Sequence, residues 1–126
     1  MAQAKVYYDR DVNPELMHKK RLAVIGFGSQ GHAHALNHQD SGVEVRVGLR
    51  PGSKSAKRAE EKGLKVLPID EAVKWADVMM VLVPDTRAPA VYDEYIGPNL
   101  RDGQMIMFAH GFNIRYGSLR YAVMDV

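Results

Sequence analysis

Three glycines at fixed spacing are the first residues in this sequence that could do chemistry. Gly26, Gly28 and Gly31 form a G-x-G-x-x-G pattern directly after the apolar run at 22–25. In such a loop the first glycine allows a tight turn, the second lets a pyrophosphate approach the backbone, and the third lets the next helix pack closely. Phosphate oxygens would accept hydrogen bonds from the free N–H groups that begin the helix. The pattern therefore predicts a dinucleotide-binding loop, and a glycine turn that binds nothing is the alternative.

The residues after the second apolar run, 43–47, indicate which dinucleotide is favoured. An NAD site usually carries Asp or Glu about 20 residues beyond the glycine loop, where the carboxylate binds the ribose 2′-hydroxyl. Here Arg50 stands at that place, followed by Ser53 and Ser55. A guanidinium and two hydroxyls can bind a 2′-phosphate through charge-assisted hydrogen bonds. The sequence therefore favours NADP(H) over NAD(H), and a solvated loop leading into a basic helix is the alternative.

Polar residues also follow the fourth and fifth apolar runs, 78–83 and 105–109. Asp85 and Thr86 come after the fourth run, and His110 comes directly after the fifth. Ligands of open α/β sheets lie outside the carboxyl ends of the strands, so we expect these residues to share one crevice with the glycine loop. His110 suits proton handling or polarisation of a carbonyl. A helix cap for Asp85 and a histidine bonded into its own turn for His110 are the alternatives.

Five short apolar runs that alternate with helix-like stretches must position these residues. The predicted strands are 22–25, 43–47, 64–67, 78–83 and 105–109. The first, fourth and fifth are apolar almost throughout, as in parallel strands covered on both faces, whereas the second and third look nearer an edge. Helices are predicted at 30–38, 53–62 and 70–75, and from Pro89 to before Gly97. Ser53 and Asp70 are the predicted N-caps of the second and third helices. A short helical turn is also predicted near Pro14. This order predicts an α/β fold, a Rossmann-type doubly wound and mainly parallel sheet with helices on both faces.

Composition narrows the class of protein. The 126 residues, 46% hydrophobic and 25% charged, fit one globular domain, which we place at 21–117 between an arm at 1–20 and a truncated or atypical tail at 118–126. The absence of cysteine excludes a disulfide scaffold and a thiol nucleophile. No apolar run reaches the length of a membrane span, and residues 1–10 contain no long apolar run, so we expect neither a membrane helix nor a secretory signal there. The net charge of +2 is too even to indicate binding of nucleic acid. His34 and His38 could place two metal ligands on one helix face, but no third ligand is evident, so we expect no metal site in this chain.

Longer stretches around these motifs resemble one known family. After the glycine loop the chain continues His-Ala-His-Ala-Leu-Asn at 32–37, and further matching stretches lie at 6–9, 48–55, 82–86 and 108–114. In this order they are similar to ketol-acid reductoisomerase, also called acetohydroxyacid isomeroreductase. Phe27 stands where a tyrosine is common in that family.

The resemblance implies an oxidoreductase of valine, leucine and isoleucine biosynthesis. Such an enzyme converts 2-acetolactate to 2,3-dihydroxyisovalerate by magnesium-dependent alkyl migration followed by reduction with NADPH. It implies that His110 is the catalytic histidine beside the nicotinamide. It also implies a set of cofactor-binding residues that hold the pyrophosphate, the 2′-phosphate and the nicotinamide half: Gly26, Phe27, Gly28, Ser29, Gln30, Gly31, Arg50, Ser53, Ser55, Asp85, Thr86, Arg87 and Ala88.

The sequence departs from the family after Gly117. The family continues into a large helical domain that supplies the carboxylates for two magnesium ions, most of the substrate pocket and the subunit interface of its oligomers. We therefore expect this chain to bind NADPH but to be inactive alone, with the 2-acetolactate-type substrate bound only when that domain is present. The NADP-binding domain of another reductase, such as a 3-hydroxyacid dehydrogenase, and a non-enzymatic NADP-binding module are the alternatives. By the resemblance we expect a cytoplasmic protein, or a plastid one in a plant.

Overall fold

A parallel β-sheet forms the centre of the fold. The structure, a computed structural model, describes residues 3–115 and residue 117. Within them the strands are β1 (Arg21–Ile25), β2 (Glu44–Leu49), β3 (Lys65–Pro68), β4 (Val78–Val81) and β5 (Met105–Phe108). All four pairings are parallel and the strand order is β3-β2-β1-β4-β5. The order reverses direction between β1 and β4, so the predicted doubly wound sheet is confirmed, with its switch point beside the glycine loop.

Six α-helices lie within the described residues. They are α1 (Glu15–His18), α2 (Ser29–Asp40), α3 (Ser55–Glu61), α4 (Ile69–Trp75), α5 (Ala88–Val91) and α6 (Phe112–Arg115). A 3-10 turn at Asp9–Asp11 precedes them, and α5 continues through a π-helical turn (Tyr92–Ile96) and a 3-10 turn (Gly97–Asn99). The helical turn predicted near Pro14 is α1. The last predicted crossover helix runs on through Gly97 rather than ending before it.

The predicted caps of two helices are wrong. α4 begins at Ile69 with Pro68 as its N-cap, so Asp70 lies inside the first turn, because β3 runs into the helix without a linker. At this position the Asp70 carboxylate still interacts favourably with the positive end of the helix dipole. α3 begins at Ser55 with Lys54 as its N-cap. Ser53 lies just before the helix, where its Oγ accepts a hydrogen bond from the Ser55 N–H at 3.3 Å.

The hydrophobic core lies on both faces of the sheet. Alternate residues of β1 point to opposite faces, so Ala23 and Ile25 pack under α4 and the helical segment 88–99, whereas Leu22 and Val24 pack under α2 and α3. All four of these side chains are at most 1% exposed. Helices therefore cover both faces of β1, as its continuous apolar run predicted.

β5 differs from its prediction as a strand covered on both faces. Met105 is 56% exposed and Met107 is 41% exposed, so one face of the strand is open. β5 is an edge strand within the described sheet. The prediction was wrong because methionine is apolar whether or not a neighbouring element covers it. β3 is the opposite edge, as predicted, whereas β2 lies one strand inside it.

The segments outside the sheet are the arm and the tail. Residues 3–20 are exposed apart from the half-buried Met17, which packs against the core. The predicted tail at 118–126 lies outside the described residues, and the proposed domain boundaries stay predictions. Within the described part of the chain, no helix has the length and apolarity to cross a membrane.

Candidate cofactor site

The glycine loop joins β1 to α2, and its three glycines differ in what surrounds them. Gly26 has a φ of +100°, a left-handed conformation that side chains rarely adopt. A Cβ atom on Gly31 would collide with the carbonyl oxygen of Gly26. A Cβ atom on Gly28, in contrast, would meet nothing within 4 Å. The fold itself therefore requires Gly26 and Gly31, whereas the space beside Gly28 is open.

Backbone donors adjoin this open space. α2 begins at Ser29 with Gly28 as its N-cap, and no side chain caps the helix. The His32 N–H donates to the Gly28 carbonyl at 2.9 Å and makes the first bond of the helix. The N–H groups of residues 29–31 precede that bond and have no carbonyl partner within the helix. An anion at Gly28 could accept hydrogen bonds from them.

A cleft of about 500 Å³ brings the glycine loop together with the ends of β4 and β5. Asp85 and Ala88 line it from the β4 side, and His110 and Asn113 line it from the β5 side. The crevice expected from the sequence is therefore present. Thr86 and Arg87 are exposed in the turn between Asp85 and Ala88 and do not line the cleft.

Phe27 differs from the other loop residues because its side chain is buried in the core. Its side chain is 3% exposed and belongs to the core beneath α2. The ring also contacts His32 edge to face, with the two ring centroids 5.3 Å apart. Phe27 can therefore approach a ligand only through its backbone.

A second, smaller hollow of about 190 Å³ lies at the ends of β2 and β3. Arg50 and Pro51 line one side of it, and Val66 and Leu67 line the other. Arg50 is exposed and makes no ion pair with any described residue. Its charge is therefore available to an anionic ligand at this end of the sheet.

His110 and Asn113 lie at the start of α6 and make different hydrogen bonds. The Phe112 N–H donates to His110 Nδ1 at 3.1 Å. Asn113 is 3% exposed, and its Nδ2 donates to the Asp85 carbonyl at 3.2 Å. Sequence reasoning did not single out Asn113, because asparagine after a strand is ordinarily an exposed turn residue. The sequence feature that could have indicated Asn113 is its position three residues, about one helical turn, after the candidate catalytic residue His110.

Metal ligands do not gather in the described part of the chain. No three His, Asp or Glu side chains come together there as a metal site. The His34 and His38 rings stack with their centroids 6.4 Å apart, and burial, together with His34, lowers the pKa of His38. The carboxylates after β4 are scattered over the cleft, the π-helical turn and the turn before β5: Asp85, Asp93, Glu94 and Asp102. Asp125 lies outside the described residues.

The opposite end of the sheet carries an ion pair. Arg21 donates to both oxygens of Asp77, with Nη2 3.1 Å from Oδ1 and Nε 3.2 Å from Oδ2. The Arg21 backbone N–H also donates to Asp77 Oδ2 at 2.9 Å. These hydrogen bonds lower the pKa of Asp77 to about 2. The pair joins the start of β1 to the start of β4 and lies away from the cleft.

Fold and cleft together are those of a Rossmann-type dinucleotide-binding domain. Residues 16–125 match the family described as acetohydroxy acid isomeroreductase, NADPH-binding domain. The chain belongs to this family, so the resemblance stated from the sequence is confirmed. The match runs on to residue 125, beyond Gly117, where the sequence was expected to depart from the family.

Solved structures agree with this assignment. An NADH-preferring ketol-acid reductoisomerase from an uncultured archean is 38% identical with a TM-score of 0.87, and the match covers 94% of this chain and 38% of that one. A semialdehyde dehydrogenase NAD-binding protein from Cupriavidus necator, in complex with calcium and NAD, is 27% identical over 81% of this chain and 37% of its own, with a TM-score of 0.69. A putative oxidoreductase from Jannaschia is 21% identical over 82% of this chain and 37% of its own, with a TM-score of 0.70, and shows the fold alone. The chain thus spans 38% of the length of the reductoisomerase it matches.

Proposed function

We propose that this chain is the NADP(H)-binding part of a ketol-acid reductoisomerase. The observation that carries the proposal is the open space at Gly28, next to the uncapped start of α2 and within the cleft that also holds Asp85 and His110. A dinucleotide has a pyrophosphate in its middle, so a site that binds it needs anion donors at the centre and room on both sides. The cleft that the loop lines supplies this room towards β4 and β5, and the hollow at the ends of β2 and β3 supplies it on the other side.

The residues of the loop and of the main cleft would hold the dinucleotide in order along its length. The backbone of residues 28–31 would bind the pyrophosphate, with Phe27 contributing its main chain only. Asp85 and Ala88 would line the neighbouring stretch, with Thr86 and Arg87 at its exposed rim. The nicotinamide, when bound, supplies a hydride to a carbonyl carbon of the substrate. His110 would stand at that end of the cleft.

The preference for NADP(H) would come from the loop after β2. Arg50 supplies an unpaired guanidinium within the described residues. The Ser53 oxygen already accepts a bond from the Ser55 N–H, so its own hydroxyl proton is free to be donated to a phosphate. A hydrogen bond to a charged group is worth about 1.5–3 kcal/mol, so one such bond corresponds to at least about tenfold in affinity. The matched reductoisomerase is described as preferring NADH, so this loop is where the two proteins would differ.

The complete reaction would need more residues than the described ones. We propose magnesium-dependent alkyl migration in a 2-acetolactate-type acid before reduction, as part of valine and isoleucine biosynthesis. The described side chains do not fit two bridging magnesium ions, because no three ligands of suitable type come together among them. The carboxylates for it would come from the rest of a longer reductoisomerase chain.

Titration of the chain with NADPH and NADH tests this proposal. We expect NADPH to bind at least about tenfold more tightly than NADH. Arg50→Ala should weaken NADPH binding and leave NADH binding nearly unchanged, because only the 2′-phosphate contact is removed. Arg10→Ala is the matched control, since this exposed arginine of the arm lines neither hollow. Equal affinities for the two cofactors in the parent chain would overturn the assignment to NADP(H).

A further inference from the structure

The turn between β5 and α6 determines which nitrogen of His110 carries a proton. A backbone N–H can only donate, so His110 Nδ1, 3.1 Å from the Phe112 nitrogen, must accept with its lone pair. A neutral imidazole has one N–H, and it therefore lies on Nε2. The ring nitrogen left for a ligand in the cleft is thus a donor and not an acceptor.

Asn113 holds this turn in place. It is the next residue after the Phe112 donor, and its side chain is almost fully buried. Its Nδ2 bond to the Asp85 carbonyl crosses from the first turn of α6 to the turn after β4, where both residues line the same cleft. The bond therefore fixes the position of the Phe112 N–H, and with it His110, relative to the end of β4.

We propose that His110 acts in the cleft as a neutral Nε2–H hydrogen-bond donor and that Asn113 is its positioning residue. This inference rests on the proposed function. Its ligand is a carbonyl oxygen, either that of the nicotinamide carboxamide or that of the substrate ketone. A base at this position would need a lone pair on Nε2, and the Phe112 bond places the lone pair on Nδ1 instead.

Nuclear magnetic resonance tests the hydrogen bond directly. A scalar coupling between the Phe112 amide nitrogen and His110 Nδ1, measured at about pH 8.5 where an ordinary histidine is neutral, exists only if the N–H···N bond forms. We expect the coupling in the parent chain, together with a proton on Nε2. Absence of the coupling, or a proton on Nδ1, would overturn the proposal without any variant.

Variants at position 113 test the positioning role. Asn113→Ala removes the donor to Asp85, and Asn113→Asp keeps the shape but replaces the amide by a carboxylate that cannot donate. Both should abolish the coupling. Asn99→Ala is the matched control, because Asn99 makes the same kind of bond, from Nδ2 to the Tyr95 carbonyl at 2.7 Å, away from the cleft. It should lower thermal stability while the coupling persists. Persistence of the coupling in both variants at 113 would refute the role of Asn113.

Binding measurements on Asn113→Ala then locate the carbonyl. Loss of one hydrogen bond between neutral groups should weaken NADPH binding about three- to tenfold. The affinity for 2′-phospho-ADP-ribose, which lacks the nicotinamide, should not change. An unchanged NADPH affinity would instead place the carbonyl on the substrate, and equal weakening of both ligands would refute a donor at the nicotinamide end. If the parent chain bound no NADPH, the proposed function would fail, whereas the coupling would still decide the state of His110.

Discussion

Substitution of Gly28 by valine separates the binding of phosphate from the stability of the fold. The Cβ atom at this position meets nothing within 4 Å, and the backbone, with φ −75° and ψ −160°, is extended in a way that valine adopts. Valine is a poor N-cap, so we expect Gly28→Val to lower the free energy of unfolding by about 1 kcal/mol. The branched side chain would occupy the space where the pyrophosphate must approach the backbone.

The expected loss of affinity follows from the donors that would be covered. If two charge-assisted bonds to the pyrophosphate are lost, the cost is about 3 kcal/mol or more, which corresponds to at least a hundredfold in the dissociation constant. NADPH and NADH should weaken together, because both contain the pyrophosphate. Calorimetric titration measures the affinities, and thermal unfolding followed by circular dichroism measures the stability.

Gly31→Ala is the informative counterpart. Its methyl group would collide with the Gly26 carbonyl oxygen, so we expect this variant to be destabilised by about 1–3 kcal/mol, as an overpacked site is. Gly28→Val should therefore fold but fail to bind the cofactors, whereas Gly31→Ala should fold poorly. Normal binding of either cofactor by a folded Gly28→Val variant would refute the placement of the phosphate site in this loop.

Three further outcomes are expected. Arg50→Ala should lower the preference for NADPH over NADH about tenfold or more, while Arg10→Ala keeps it, as paired titrations would show. The pKa of Asp77 is lowered to about 2, so its ion pair stabilises the fold above its usual pKa of 3.8 and less as the pH falls from there towards 2. Denaturation of Asp77→Asn should therefore show a loss of roughly 0.5–1 kcal/mol at neutral pH that shrinks from pH 3.8 down to pH 2 and vanishes below it, and a constant difference would contradict this. The chain alone should bind NADPH without oxidising it when 2-acetolactate and magnesium are added. Oxidation of NADPH by the parent chain that His110→Ala abolishes would show that this expectation is wrong.

The fold could be predicted from sequence where local signals and burial agree. All five strands lie within about two residues of the predicted runs, because buried parallel strands are continuously apolar. The exposure of Met105 and Met107 could not be predicted, since an apolar side chain does not report whether a neighbouring strand covers it. The position of Asp70 inside α4 was missed for a related reason, as Pro68 ends β3 and begins the helix at once.

The candidate site was predictable in its parts but not in its connections. The glycine loop, Arg50 and His110 could be proposed as site residues from residue type and position along the chain, and their roles stay predictions. The bond from Asn113 to the Asp85 carbonyl joins residues 28 positions apart, and only the packing of α6 against the end of β4 creates it. The distinction between Gly28 and Gly31 likewise needs three-dimensional surroundings, because both are simply glycines in the motif.

Amide chemical-shift changes on addition of NADPH locate its binding site. We propose that one dinucleotide lies across the carboxyl ends of the strands, from the loop after β2 to the turn after β5. We expect the largest changes at 26–31, 50–55, 85–88 and 110–113, and none around Asp77 or Asp102 at the opposite end of the sheet. Changes confined to that opposite end, or no changes at saturating NADPH, would contradict this placement of the cofactor.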